Sequence, residues 1–315
     1  MLLILENDVG RKEQIDDKGS SVNAFDAITR TGVTTNHDLA ISGGSPAFSY
    51  RGSLNYIGRD GIIKKTGFDR VTARINLDQK ALDNRLNIQY NLSVTNTNSK
   101  LNDDAIIARA VTFLPTLPIT DPTGANNVGG YYEVGGSFDL FNPVAMLNSQ
   151  RFDQQKRLLI GGVNLRYEII DGLTLGVNGA YQNENTDESR SRDRSIKAFQ
   201  TTNGEAYRKM DQSNNKLLEL TATYNKAFGQ NNSNFNILGG YSYQNIVYDG
   251  FQARNTQFLT NTLSYDNLGL GAGTLLSPAS NYATSYRNAT TLASFFARAT
   301  VNMNDKYNVT ATVRR

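Results

Sequence analysis

Residues 157–182, RLLIGGVNLRYEIIDGLTLGVNGAYQ, are two alternating runs joined by Asp171-Gly172. Leu159, Val163, Leu165, Tyr167 and Ile169 share one parity of the first run, with Asn164, Arg166 and Glu168 on the other. In the second run Leu173, Leu175, Val177 and Tyr181 face one way, against Thr174, Asn178 and Gln182. Period-2 alternation about an Asp-Gly turn is the strongest short-range hairpin signal. The polar parity carries ionised groups in mid-strand. Such strands keep one face in an apolar medium and the other in water.

The device repeats in both directions. Upstream, His37, Leu39 and Ile41 alternate with polar or small residues, then Phe48, Tyr50, Leu54 and Tyr56, then Val71, Ala73, Ile75 and Leu77, then Leu86 through Val94. Downstream come Leu218–Tyr224, Phe235–Tyr243, Ala293–Val301 and Tyr307–Val313 on the same pattern. The runs predict ten strands. Short turns join the strands within each pair, whereas long excursions are expected at about 96–156, 184–213 and 246–289. Strict short/long alternation puts all tight turns at one end of the sheet and all long loops at the other, the layout of a transmembrane β-barrel.

Charge placement agrees with lipid on one side. Arg70, Arg74, Asp78, Arg166, Glu168, Glu219 and Arg298 all lie on the polar parity, while Lys216 and Lys226 approach the apolar parity only near strand ends. A mid-bilayer charge on the lipid face costs about 2–4 kcal/mol. Aromatic residues, Phe48, Tyr56, Tyr167, Tyr181, Phe235 and Tyr307, mark strand ends. Ile160, Leu217, Leu238, Leu292 and Phe296 are large apolar residues on the wet parity. They imply that something packs inside a barrel larger than ten strands enclose.

Composition excludes several classes. The 315 residues are 39% hydrophobic with mean hydropathy -0.45, and no apolar stretch approaches the ~20 residues of a spanning helix. Without cysteine there is no disulfide framework or thiolate metal site. A net charge of +3 argues against nucleic acid as a partner. His37 is the only histidine, so no triad or histidine zinc site forms around a second one. Neither catalysis nor a cofactor is expected.

An ordered set of motifs resembles the SusC/RagA-type TonB-dependent transporters. Asn36-His-Asp-Leu-Ala-Ile-Ser-Gly-Gly44, Phe68-Asp-Arg70 and Arg74-Ile-Asn-Leu-Asp78 resemble the start of that barrel. Pro115-Thr-Leu-Pro118, Asn142-Pro143, Leu238-Gly-Gly-Tyr-Ser242, Ser294-Phe-Phe-Ala-Arg298 and Asp305-Lys-Tyr-Asn-Val-Thr-Ala-Thr-Val-Arg-Arg315 look like its later landmarks. The likeness starts at about Asn23, where Asn23-Ala24-Phe25-Asp26 stands in place of the family's Asp-Trp. Plug, TonB box, signal peptide and later strands have no counterpart here. The expectation is therefore an internal segment: 1–34 as a connector from a plug region, and 35–315 as a partial all-β, antiparallel barrel with periplasmic short turns and extracellular long loops. The resemblance implies import of glycans or peptides across the outer membrane of a Bacteroidetes-type bacterium. Its implied partners are outer-membrane lipid, a SusD-like lipoprotein, the TonB complex reached through the plug, and an oligosaccharide or peptide substrate. Complete small outer-membrane proteins and soluble all-β binding modules share the strand pattern and are the alternatives.

Aromatic and amide side chains on loops stack against and hydrogen-bond sugars and peptides. Tyr131, Tyr132, Phe138 and Phe141 in the first excursion, and Tyr248, Phe251 and Phe258 in the third, are the candidate contacts. The charged run Glu188–Arg194 reads as a solvated loop, Asp103-Asp104 as a helix start, and Gly269-Leu-Gly-Ala-Gly273 as a plain loop.

Overall fold

Ten strands follow one another through a single sheet, each hydrogen-bonded to its neighbours in the chain and antiparallel to them. They are β1 (Thr34–Ser45), β2 (Phe48–Asp60), β3 (Gly67–Ala81), β4 (Leu86–Lys100), β5 (Gln150–Ile170), β6 (Leu173–Arg192), β7 (Glu205–Phe228), β8 (Ser233–Thr256), β9 (Tyr282–Met303) and β10 (Tyr307–Arg314). The computed structural model describes residues 3–6, 12–15, 17–121, 127–135, 139–228, 233–276 and 281–315. Most of the expected turn Gly229–Ser233 lies outside the described residues.

The strand count and pairing agree with the alternation, and the opening hairpin is β5–β6. Register is continuous through it except for an irregularity at Leu173/Thr174. The Asp171-Gly172 turn needs its glycine. Gly172 has φ +84, and a Cβ there would come within 2.3 Å of the Asn225 carbonyl oxygen, while the Asn225 amide donates to the Gly172 carbonyl at 2.8 Å. The turn is thereby tied to β7 as well as to its own strands.

A one-layer sheet has no second protein layer to bury against. Its apolar face stays open: Leu39, Ile75, Leu92, Tyr167, Leu175, Leu220 and Phe295 are all exposed. The buried cores lie instead in the long connections. Helices α1 (Ala24–Ile28), α2 (Ala105–Thr112) and α3 (Pro143–Asn148) pack on one another at the long-connection end. One cluster holds Ile28, Ile63, Ile106, Met146, Ile196 and Phe199, and a second holds Ala24, Phe113, Leu117, Tyr132 and Val134.

Local chemistry explains the caps. The Asn142 side chain accepts from Val144 N and Ala145 N at the start of α3, and its amide donates to the Ile119 and Tyr132 carbonyls. Pro143 follows at the first helical position, where its missing N–H costs nothing. Asn23 caps α1 in the same way. The chain leading into β1 is fixed to this end too: Lys18 N and Val22 N donate to the Thr116 and Pro115 carbonyls, and Arg30 reaches Asp60 and the Gly61 and Thr66 carbonyls.

Three expectations need correction. The stretch 184–213 is mostly strand, because β6 continues to Arg192 and β7 begins at Glu205. The third excursion shrinks to 257–281 and the first to 101–149. Ladder hydrogen bonds do not need an apolar face, so the strands continue past the point where both parities turn polar. Finally, Arg190 and Arg192, expected in a solvated loop, are strand residues in a largely buried ion cluster. The helix expected at the Asp103-Asp104 start is present as α2, and the glycine-rich 269–273 stretch joins a short helical turn to α4 (Gly273–Leu276).

Candidate functional site

On the polar face of β6–β9, at the long-connection end, the sheet presents an aromatic and charged surface. Glu205, Tyr207, Lys209 and Asp211 alternate along one face of β7, and β8 brings Tyr248, Gln252 and Arg254 beside them. Tyr282 and Tyr286 come from β9. The Tyr207 hydroxyl donates to Gln252 Oε1 at 2.9 Å, and the Gln252 amide donates to Thr284 Oγ1 at 3.2 Å. The Tyr286 hydroxyl donates to Asp211 Oδ1 at 2.9 Å, and Lys209 Nζ pairs with Asp211 Oδ2 at 2.6 Å. Tyr286 must cross all of β8 to reach β7. It can do so because residue 250 is glycine: a Cβ there would lie 2.6 Å from the tyrosine ring and 2.8 Å from Asp211 Oδ1.

Above this surface the rim is held rigidly. Glu205, only 4% exposed, accepts from Arg190 Nη2 at 3.1 Å, Arg192 Nη1 at 3.4 Å and Arg254 Nη2 at 2.6 Å. Arg192 also pairs with Asp103 at the start of the first long connection, tying that connection to the wall. Arg190 lies between the Phe152 and Tyr207 rings, at 5.8 and 5.4 Å, and Arg192 over Phe199. A buried carboxylate with several guanidinium partners fixes geometry more than it adds stability.

The loops carry perturbed acids. Burial pushes the Glu133 carboxyl up to about 7, against the opposing pull of the Asn142 amide and of Lys197. Burial also raises Asp193, partly offset by Lys65. Tyr265 is raised by burial and by its 2.5 Å hydrogen bond to Asp153 Oδ2, with the Arg151 guanidinium over its ring at 4.7 Å.

Comparison with known proteins decides the family. No protein-family model matches the sequence. TonB-dependent receptor P3 of Formosa agariphila is 32% identical over 301 residues, covering 92% of this chain and 29% of that protein. SusC of Bacteroides thetaiotaomicron is 29% identical over 160 residues, 45% of this chain and 16% of its own. The chain thus spans less than a third of the length of these curated relatives. Among solved structures, the RagAB peptide importer in its closed-closed state superimposes with a TM-score of 0.76 at 20% identity, over 95% of this chain and 33% of that one. This chain belongs to the SusC/RagA-type TonB-dependent receptors.

The sheet has one apolar and one polar face. The sequence-nominated contacts separate accordingly. Tyr248 stands on the polar face, 50% exposed. Phe251, of opposite parity, faces outward beside Met210. Tyr132 and Phe258 are buried within loop cores, which leaves no ring face for a ligand. Tyr131 packs on the first cluster and accepts from the Asn148 amide. Phe141 is held between Arg109 at 4.9 Å and Lys197 at 5.7 Å. Phe138 lies outside the described residues.

Tyr207, Lys209, Asp211, Gln252, Tyr282 and Tyr286 went unnominated. Their signal is a period-2 alternation of aromatic and charged residues, Glu205-x-Tyr207-x-Lys209-x-Asp211, obscured because Arg208 breaks the apolar parity between Ala206 and Met210.

Proposed function

We propose that this segment forms part of the wall of an outer-membrane, TonB-dependent importer, and that the polar face of β6–β9 contacts an oligosaccharide or peptide on its way inward. The observation that carries this reading is the row of Tyr207, Tyr248 and Tyr286 beside Lys209, Asp211 and Gln252. Aromatic faces flanked by amides and both charge signs suit the planes and hydrogen-bonding groups of sugars and peptide backbones. A SusD-like lipoprotein would dock on the extracellular helices and long loops, and the TonB complex would act through a plug. Residues 1–34 would carry the chain from that plug region towards β1. The apolar face would sit in outer-membrane lipid. The imported-peptide description of the RagAB neighbours makes a peptide as eligible as a glycan.

The test is ligand uptake by the native receptor with Tyr248→Ala and Tyr286→Ala combined. Removing two stacking faces is expected to weaken apparent affinity roughly tenfold while outer-membrane abundance stays constant. Unchanged uptake of every oligosaccharide and peptide that supports growth would remove this surface from the transport path.

A further inference from the structure

The lipid-side face carries a cleft that nothing in the protein fills. It has a volume of about 770 Å³ and is lined by Ile75, Leu77, Tyr90, Leu92, Gly161 and Gly179, among others. Residues in register run across it in two rows: Tyr90, Val163, Gly179 and Leu218, then Leu92, Gly161, Tyr181 and Lys216 one step nearer the long loops.

The two glycines create the cleft, and neither is demanded by the backbone. No heavy atom lies within 4 Å of a Cβ built on Gly179, the nearest to one on Gly161 is Leu92 Cδ1 at 3.7 Å, and neither residue has positive φ. Glycines on the opposite face are different: a Cβ on Gly162 would meet Asn91 at 2.7 Å, on Gly176 Thr221 at 2.3 Å, and on Gly240 Phe296 at 2.4 Å. The polar-face glycines make room for side chains of this protein. The apolar-face pair makes room for something else, since an open glycine in a strand interior costs stability and often marks the close approach of a ligand.

The second observation is Lys216. It is exposed on the apolar parity at the rim of the cleft, with no ion pair or hydrogen bond among the described residues. Beside it the Tyr181 hydroxyl donates to Asn214 Oδ1 at 3.0 Å, so the aromatic ring is anchored at the boundary where polar residues begin. At ~3.4 Å per residue and a tilt of ~40°, Lys216 stands about 30 Å above the short-turn end at Phe228, at the top of an apolar band ~25 Å tall. By the same arithmetic Leu77 and Tyr90, four residues from their short-turn ends, stand about 10 Å above them and Tyr181, eight residues along, about 21 Å, so the cleft runs from mid-bilayer up into its outer half. An apolar trough capped by an unpartnered cation is complementary to an amphiphile with a long chain and an anionic head.

We propose that the cleft seats one acyl chain of a phosphate-bearing glycolipid of the outer leaflet, with Lys216 holding the phosphate. The proposal rests on the outer-membrane reading given above. The native receptor, extracted from fractionated envelopes in mild detergent, tests it by mass spectrometry of retained lipid per mole of protein. Lys216→Gln is expected to lower retained glycolipid about fivefold, the worth of one cation near a lipid phosphate, and Gly179→Leu, which fills the trough, to lower it as well. Gly239→Leu, an equally open glycine of the same face on β8, and Lys226→Gln at the opposite membrane boundary should change nothing. Equal retention in Lys216→Gln and wild type overturns the phosphate site even if Gly179→Leu fails to fold. Loss in Gly239→Leu as large as in Gly179→Leu, or a glycerophospholipid retained in place of the glycolipid, overturns the cleft. Receptor absent from the outer-membrane fraction defeats the location itself, whereas outer-membrane receptor that carries no glycolipid defeats only the cleft.

Discussion

Glu133 sits 5% exposed in the loop core, its Oε2 accepting from the Asn142 backbone N–H at 3.2 Å and its Oε1 without a partner among the described residues. Its carboxyl titrates near 7 rather than at the ordinary 4.5. Below 4.5 the folded and unfolded states are both protonated and the group is neutral to stability. Between 4.5 and 7 the unfolded chain ionises first, so stability falls as pH rises, and the full penalty, about 3 kcal/mol, is present above 7. Glu133→Gln is thus expected to stabilise the loop module by about 1–3 kcal/mol at pH 8 and to leave it nearly unchanged at pH 4. Amide hydrogen exchange of 131–147 at the two pH values measures this. A variant as pH-dependent as the wild type would show that another group titrates. The sequence held no sign of this residue, because Val134 and Gly135 beside it give it an unremarkable loop context. The groups that face it are the Asn142 backbone amide, nine residues on, and Lys197, far along the chain.

The β5–β6 hairpin shows at the scale of an element why the fold could be read. Val177 and Asn178 are adjacent, yet Val177 belongs to the apolar face, while Asn178 donates to Glu219 Oε2 at 3.1 Å on the polar face. Val177→Arg near mid-bilayer is expected to destabilise by about 2–4 kcal/mol. Asn178→Arg gains Glu219 as a partner and should cost less than about 1 kcal/mol. Urea titration of the receptor refolded in lipid vesicles compares the two, and equal costs would mean that the faces had been assigned wrongly. The same contrast explains where the sequence stopped being informative. Alternation was legible through the lipid band, where it separates apolar from ionised residues. Above it, β7 and β8 each run to 24 residues, and pairs such as Gln212–Asp249 and Arg208–Ala253 offer no contrast between faces. The candidate surface lies in that silent zone. Of its members only Tyr248 was nominated, and for being aromatic rather than for its place on a strand.

At the scale of the molecule, the sheet has two free edges. β1 and β10 are the outer strands and are not paired with each other, and the 12 residues of β1 and 8 of β10 are exposed throughout. Unpaired backbone groups at an edge are unsatisfied in lipid, so a spanning sheet must close. Ten strands could close only around a narrow interior, and the exposed Ile160 and Leu292 on the polar face have no cover among the described residues. Both facts call for further strands, or another chain, to continue the wall. A chain free of cysteine allows a direct measurement. With Leu39→Cys on the apolar face of β1 and a second cysteine walked along the same face of β10 at Val309, Ala311 and Val313, the 315-residue chain refolded in detergent is expected to form no disulfide within one molecule and to associate through its edges on sizing. A monomer carrying an intramolecular β1–β10 disulfide would mean that these ten strands close upon themselves. Ile160 and Leu292 would then line a small sealed lumen, and no import path could run through this wall alone.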